Sequence, residues 1–300
     1  MDSGRPECPV CDAPNARYFF TKNSYPVYRC RQCKLEFLHS QPDERVLASI
    51  YNSNYFLGEP NRESAERTVR LKSTTARLYL ERLGGTLLRP GARILEVGCG
   101  NGEFLAEART RGLRVEGIEY SAVAAENANR RLGAGTVQVG TLDTVLLPRE
   151  SFDAIVACDV IEHVRDPKSF LRTAYACLRP GGLVFLVTPS LDSWSRKLMR
   201  QHWMEYKVEH LFYFSERSLR ILLASAGFQR PAFYSNKKAV SFEYVYHHFR
   251  SYSVPVLTPL ISGLRHVLPR RARYIQWKIA GSGVIVIAQK LRFQNDKSGI

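Results

Sequence analysis

Two cysteine pairs, Cys8-Pro-Val-Cys11 and Cys30-Arg-Gln-Cys33, stand 18 residues apart near the start of the chain. Thiolates in C-x-x-C turns at this separation suit a tetrahedral four-sulfur zinc site. A segment of about 40 residues cannot fold on an apolar core of its own, and metal binding would supply the missing folding energy. All four ligand positions are filled by protein, which predicts a structural ion with no open coordination site. Tyr18–Phe20 and Val27–Arg29 offer short strands between the turns. Residues 1–40 therefore read as a zinc ribbon, serving either as a packing lid or as a contact for substrate or partner. Cys99, Cys158 and Cys177 are scattered among apolar residues and read as buried thiols of a reducing compartment.

A second group of residues could hold a nucleotide-like ligand. The run Glu96-Val-Gly98-Cys-Gly100-Asn-Gly102 follows an apolar segment and precedes a helical pattern. Glycines at alternate positions let backbone approach a ligand closely, and this spacing differs from the G-x-G-x-x-G of dinucleotide sites. About 20 residues on, Glu119 ends the next apolar run. A carboxylate there can accept both hydroxyls of a ribose, although a lone Glu would more often be a solvated strand end.

Two histidines have the chemistry of a general base, since imidazole accepts a proton near neutrality. His163 stands just past the strand at Asp153–Cys158, and would either take a proton or, with Glu162, fix the loop and the next helix. His210 is the second candidate, within the stretch Trp203–Phe214, where Trp203 and Tyr213 either line a pocket or pack.

The elements that must carry these groups alternate. Strands are expected at Arg93–Val97, Arg114–Glu119, Thr136–Val139, Asp153–Cys158, Leu183–Thr188 and Gly283–Gln289. Helices are expected from Asn101, from the cap Ser121 and from Asp166-Pro167, the last with an N-cap acid and proline at the first helical position. Arg179-Pro-Gly-Gly182 should stop that helix. Such alternation predicts an α/β, doubly wound, largely parallel sheet, which binds ligands beyond its carboxyl strand ends where the order reverses. Residues 41–84 read as a linker with a helix over Arg62–Leu83 that turns Ala65, Val69, Leu78 and Leu83 to one side. Tyr51 and Asn54-Tyr55-Phe56 in that linker either cap a pocket or seal the joint between modules.

The chain has 43 Lys+Arg against 28 Asp+Glu, a formal charge of +15, which invites an acidic partner: nucleic acid, an anionic membrane surface or a phosphorylated substrate. The excess is concentrated late. From Pro231 onward there are 11 Lys/Arg against Glu243 and Asp296, a net +9. Within this region an aromatic and apolar stretch at about 237–274 ends in Arg270-Arg-Ala-Arg273. It fits either peripheral contact with a membrane surface or a helical insertion packed on the sheet before its last strand. No run reaches the roughly 18 apolar residues of a membrane span. The first 20 residues hold Asp2, Glu7 and two cysteines without an apolar run, so a cytoplasmic protein without a secretory signal is expected.

The sequence resembles the class I S-adenosylmethionine-dependent methyltransferases, in the branch of the ubiquinone-pathway O-methyltransferases. The resemblance is carried in order by Ile94–Gly102, Gly117–Glu119, Ser151–His163, Leu178–Gly182, Thr188–Ser190, His210–Phe214 and Ala226–Phe228. It implies a Rossmann-like seven-stranded sheet over residues 85–292. It also implies that Glu96, Gly98 and Gly100 line the methionine end of S-adenosylmethionine, that Glu119 holds its ribose and that Tyr120 lies against the adenine. Thr141, Leu142 or Asp143 would contact the adenine as well, in a segment where the family's acid is displaced by two positions. Asp159 would sit beneath the reacting sulfonium. Asp159-Val-Ile-Glu-His163 lacks the Asn/Asp-Pro-Pro-aromatic turn common among enzymes that methylate amino groups of bases. The expected acceptor is therefore a hydroxyl or carbon of a small molecule: a sugar, a lipid-linked glycan or a secondary metabolite. A ribbon ahead of this domain is also similar in arrangement to deoxysugar C-methyltransferases. The competing reading is an RNA methyltransferase gripping RNA with its ribbon and basic surface, and a third is a binding protein that keeps the fold without catalysis.

Overall fold

The computed structural model describes residues 5–50, 62–84 and 89–292; the linker residues Tyr51, Asn54, Tyr55 and Phe56 lie outside them. The chain begins with three strands, β1 (Arg17–Lys22), β2 (Tyr25–Arg29) and β3 (Glu36–Leu38), followed by α1 (Glu44–Ile50) and the long α2 (Arg62–Gly84). The main sheet is then laid down as β4 (Arg93–Val97), β5 (Arg114–Glu119), β6 (Val137–Val139), β7 (Phe152–Cys158) and β8 (Leu178–Pro189). Between them run α3 (Glu103–Thr110), α4 (Ala122–Leu132) and α5 (Pro167–Cys177). After α6 (Trp194–Met199), the two-residue β9 (Phe212–Tyr213) and α7 (Glu216–Ser225), β10 (Gln229–Ser241) and β11 (Gln276–Gln289) complete the sheet. They enclose α8 (Phe242–Ser251), α9 (Leu257–Val267) and α10 (Arg270–Arg273).

Seven strands form the main sheet in the order β10-β11-β8-β7-β4-β5-β6. β4 to β8 are parallel, whereas β11 runs antiparallel to both β8 and β10. The order reverses between β4 and β7, the place where a doubly wound sheet opens a crevice at its carboxyl ends. Strand residues alternate between two cores, as their period of two requires. Ile94, Ala154 and Phe185 face α2, α3 and α4, while Leu95, Ile155 and Leu186 face α5 and α7. Local caps agree with the sequence: Ser121 and Asp166 accept the N–H groups of Ala124 and Ser169, and Pro167 occupies the first turn of α5.

Three expectations are revised. α2 buries Leu71, Ala76, Tyr79, Leu80 and Leu83, leaving Ala65 exposed and Val69 and Leu78 half-buried. Tyr79 enters this face because its hydroxyl donates to Asn236 Oδ1 at 2.8 Å. α5 stops at Cys177, just ahead of Arg179–Gly182 as expected, but that segment is already the first part of β8, which was expected to begin at Leu183. The insertion expected at about 237–274 begins only at Phe242, because residues 237–241 pair with 276–280 and extend β10. A half-polar strand of this kind gives no clean alternation to read.

The ribbon is not a detached bead. Its sheet has the order β1-β2-β3-β9, so the last strand belongs to the segment between β8 and α7. Glu36 pairs with Tyr213 and Phe37 with Phe212. Cys8, Cys30 and Cys33 share one continuous core with Leu95, Ile155 and Phe212.

Candidate functional site

At the end of β4 the chain turns through Gly98, Gly100 and Gly102 with φ of 70°, 53° and 77°, a left-handed conformation that glycine adopts without strain. A methyl group on Gly98 would lie 2.5 Å from Val160 Cγ2, whereas one on Gly100 would meet no atom of the described residues within 4 Å. The Glu119 carboxylate bridges this turn to the next strand end. It accepts the Gly100 N–H at 2.8 Å and the Ser121 N–H at 2.9 Å. Behind them Glu96 is buried, and its Oε2 finds no hydrogen-bond partner among the described residues. Burial, with Glu103 and Glu119 nearby, raises its pKa well above the usual range. An orphaned buried acid and a second carboxylate beside an open glycine turn are acceptors suited to a ligand carrying both a cation and hydroxyls.

The remaining candidates surround this crevice. Tyr120 is 59% exposed just beyond Glu119, where a flat ligand face could meet its ring, and Leu142 is buried after β6 while Asp143 is exposed. Asp159 ends β7 with φ of 55°, an unusual backbone state that Asp tolerates better than most residues. Its carboxylate is not free: Lys238 Nζ lies 2.7 Å from Oδ2. Burial alone would lower the Lys238 ammonium, but Asp159 and the tyrosines Tyr79 and Tyr244 turn the net shift upward, so it stays cationic. The sequence did not single out Lys238, because only the pairing of β10 with β11 swings it over the strand ends.

His163 and His210 come together, with ring centres 4.7 Å apart and planes at 82°. His163 Nδ1 lies 2.9 Å from the Glu209 carbonyl, and His210 Nδ1 lies 2.8 Å from the Glu205 carbonyl. A carbonyl only accepts, so both Nδ1 atoms carry hydrogen and both Nε2 atoms are the acceptors. Burial lowers His163 to about 4 and His210 well below its usual value, so both are neutral at pH 7. Glu162 is buried beside them, donated to by Thr188 Oγ1 at 3.0 Å and pushed up to about 8 by burial and by Asp159. One ligand atom from each of Glu162, His163 and His210 falls within 4.8 Å of the others, a grouping able to hold a cation. Trp203 and Tyr213 do not line this space. Both are 1% exposed, with their polar atoms spent on Ser195 Oγ and the Lys207 carbonyl.

The four ribbon cysteines gather within 4.8 Å of one another. Cys8 and Cys33 sulfurs are 3.5 Å apart, and those of Cys11 and Cys30 are 3.6 Å apart. A tetrahedron with metal–sulfur bonds near 2.3 Å has edges of about 3.8 Å, so the cluster matches a four-thiolate site. Asp12 and Lys34, each following a second cysteine, adopt φ of 56° and 66° and close the two turns.

Beside this cluster is a network that the sequence did not announce. Glu36 is 1% exposed, accepts from Arg29 Nε at 2.7 Å and takes the Tyr206 hydroxyl at 2.5 Å. Arg196 bonds Tyr206 at 2.7 Å as well. The ribbon also reaches the histidine loop. Leu38 N–H donates to the Leu211 carbonyl at 3.0 Å, and Leu211 N–H donates to the Glu162 carbonyl at 2.8 Å.

A seven-stranded sheet with an antiparallel β11, a glycine turn at its switch point and an acid ending the neighbouring strand defines a class I S-adenosylmethionine-dependent methyltransferase fold. Residues 67–230, more than half of the chain, match the family model described as "Methyltransferase domain". The chain belongs to that family. It is 36% identical over 102 residues to the ubiquinone biosynthesis O-methyltransferase of Methylobacterium sp. (strain 4-46), covering 33% of this chain and 41% of that protein. With the 27-O-demethylrifamycin SV methyltransferase of Amycolatopsis mediterranei (strain S699) it shares 35% identity over 157 residues, 48% of this chain and 56% of the relative. The chain thus spans about half the length of the curated relatives it matches. Among solved structures, Haemonchus contortus phosphoethanolamine N-methyltransferase 2 in complex with S-adenosyl-L-methionine aligns with a TM-score of 0.53 at 17% identity, over 86% of this chain and 62% of that one. A likeness at that identity speaks for the fold alone.

Proposed function

We propose that this chain is an S-adenosylmethionine-dependent methyltransferase acting on a hydroxyl or carbon of a small molecule. The observation that carries the reading is the Glu119 carboxylate tied to the Gly100 and Ser121 N–H groups at the switch point. Glu119 keeps lone pairs for a ribose diol, and the buried Glu96 offers an unmet acceptor to the ammonium of the methionine end. Gly98 and Gly100 give that end its space, while Tyr120 and Leu142 flank the adenine. S-adenosylmethionine supplies an electrophilic methyl group when bound. The protein's part is to align an acceptor against that group and to remove the acceptor's proton. Alignment is worth roughly 7–11 kcal/mol in well-oriented systems, and a base adds about 10²–10⁴-fold.

His163 is the proposed base, through Nε2, with its ring set by the Glu209 carbonyl. His210 packs edge-on against it as second choice. Lys238 is paired with Asp159 at the end of the strand before the histidine loop, and its ammonium would steady negative charge growing on an acceptor oxygen. Cys8, Cys11, Cys30 and Cys33 are assigned a structural zinc that fixes the ribbon against β9. The small-molecule reading is favoured over RNA because the relatives' names concern a quinone pathway and a rifamycin. The acceptor class, whether sugar, lipid-linked glycan or secondary metabolite, belongs to the same proposal.

The test is calorimetric titration of purified protein with S-adenosylmethionine and S-adenosylhomocysteine, with zinc measured on the same sample. Micromolar binding of both is expected, and His163→Ala should keep that binding and lose turnover by at least 10²-fold. A folded, zinc-loaded protein that binds neither would leave a binding module that has kept the fold. Unchanged turnover in His163→Ala would remove this histidine as the base.

A further inference from the structure

Helix α9 wears its apolar face outward. Val256 at its N-cap, then Leu260, Leu264 and Val267, are 78%, 66%, 47% and 80% exposed. Spacings of three and four residues place them on one stripe, with Pro259, Gly263 and His266 exposed beside them. The inward side is mixed: Leu257 and Ile261 pack against the main core, and Arg265 binds Glu243 at 2.7 Å. A helix whose outer side met only water would carry polar residues where this one carries the stripe. Further along the chain Ile275, Trp277 and Ile279 are also exposed, at 53%, 45% and 42%.

Charge in the same segment is one-sided. Arg250, His266, Arg270, Arg271 and Lys278 are exposed. From residue 231 to residue 292 the only acid is Glu243, which is 6% exposed and already paired with Arg265. We propose that this insertion is a docking surface for an anionic lipid bilayer, with the α9 stripe lying in the headgroup–acyl boundary and the arginines at lipid phosphates. A second copy of the chain would set the two cationic insertions against each other, since a two-fold contact repeats the same patch on both sides. A nucleic acid would satisfy the cations but leave leucines, valines and a tryptophan in water. An anionic bilayer takes both kinds of group at once. The 11-residue α9 is about 16 Å long, so it would lie on the surface, and no described helix is long and apolar enough to cross a membrane. The surface does not depend on the methyltransferase reading or on the identity of the acceptor.

The experiment is co-sedimentation of the full chain with phosphatidylcholine vesicles, with and without about 30% phosphatidylglycerol, at low and high salt. Binding to the anionic vesicles alone is expected, falling severalfold as salt screens the arginines. Leu260→Glu/Leu264→Glu should lose at least about tenfold in vesicle binding with an unchanged melting temperature, since both side chains already face solvent. Arg270→Glu/Arg271→Glu should lose binding comparably. The inference is overturned if the wild type fails to sediment with anionic vesicles, or if the leucine variant sediments as well as the wild type. It also falls if gel filtration shows a wild-type dimer that the leucine variant dissociates, because a second copy would then cover the stripe.

Discussion

Replacing Glu119 with alanine tests the strut and the ligand at once. The carboxylate is 4% exposed and accepts two backbone N–H groups at 2.8 and 2.9 Å. Removing it leaves both donors short of a partner, at roughly 1–3 kcal/mol each if no water replaces it. Water entering the vacated space recovers part of that, so about 3 kcal/mol of lost stability is expected. At about 2–4 °C per kcal/mol for a domain of this size, the midpoint should drop by roughly 6–12 °C. The ligand loses more. Hydrogen bonds from two ribose hydroxyls to a charged group are worth about 1.5–3 kcal/mol each, or roughly 10²–10⁴ in affinity for the pair. The assay is paired calorimetry and thermal denaturation of wild type, Glu119→Ala and Glu119→Gln. The glutamine keeps one acceptor and should fall between the others in both readouts. Glu119→Ala binding S-adenosylmethionine within threefold of wild type would refute the ribose role. An unchanged melting temperature would refute the strut.

Other expectations concern the turn, the histidine loop and the ribbon. Gly98→Ala must shift Val160, 2.5 Å from the added carbon, and adopt φ of 70°, so it should destabilise the fold by about 1–2 kcal/mol or more, read by urea unfolding. Gly100→Ala meets no atom of the described residues and carries only the left-handed backbone cost of about 1 kcal/mol, so it should fold yet bind S-adenosylmethionine at least tenfold more weakly by calorimetry. His163 is held neutral down to about 4, whereas an unfolded chain protonates it near 6.5. As pH falls from 6.5 to about 4 the unfolded state gains a proton that the native state refuses, and stability is lost. Relative to His163→Gln, the wild type should lose about 3 kcal/mol across that window, measured by denaturant melts at pH 7 and pH 4. Chelation of the ribbon metal should cut turnover at least tenfold while leaving S-adenosylmethionine affinity within about threefold, because Leu38 and Leu211 tie the ribbon to Glu162 and not to the glycine turn. A metal-free protein with full turnover would break that link.

Much of this architecture was legible because it is local. The cysteine spacing, the glycine turn with Glu119 and the caps Ser121 and Asp166 each depend on residues within a few turns of one another, so sequence neighbours carry the signal. The parallel strands were legible because strands buried on both faces read as continuous apolar runs. Long-range pairing carries no such signature. Only the fold brings Lys238 to Asp159 across 79 positions, Tyr79 to Asn236 across 157 and Glu36 to Tyr206 across 170. β10 escaped notice because its outer half, Lys237–Ser241, is partnered by 276–280 rather than defined by alternation. The sequence left Trp203 and Tyr213 open between lining a pocket and packing; the segment folds back to make β9, which completes the ribbon sheet, and both are buried. Likewise the +9 of the last 70 residues was plain from composition, but which apolar residues it surrounds in water depended on which side of α9 the core claimed. Chemistry and local geometry were thus written in the sequence. The partners of charged and aromatic groups were set by tertiary packing, since burial decides which polar groups must meet and which apolar ones stay outside.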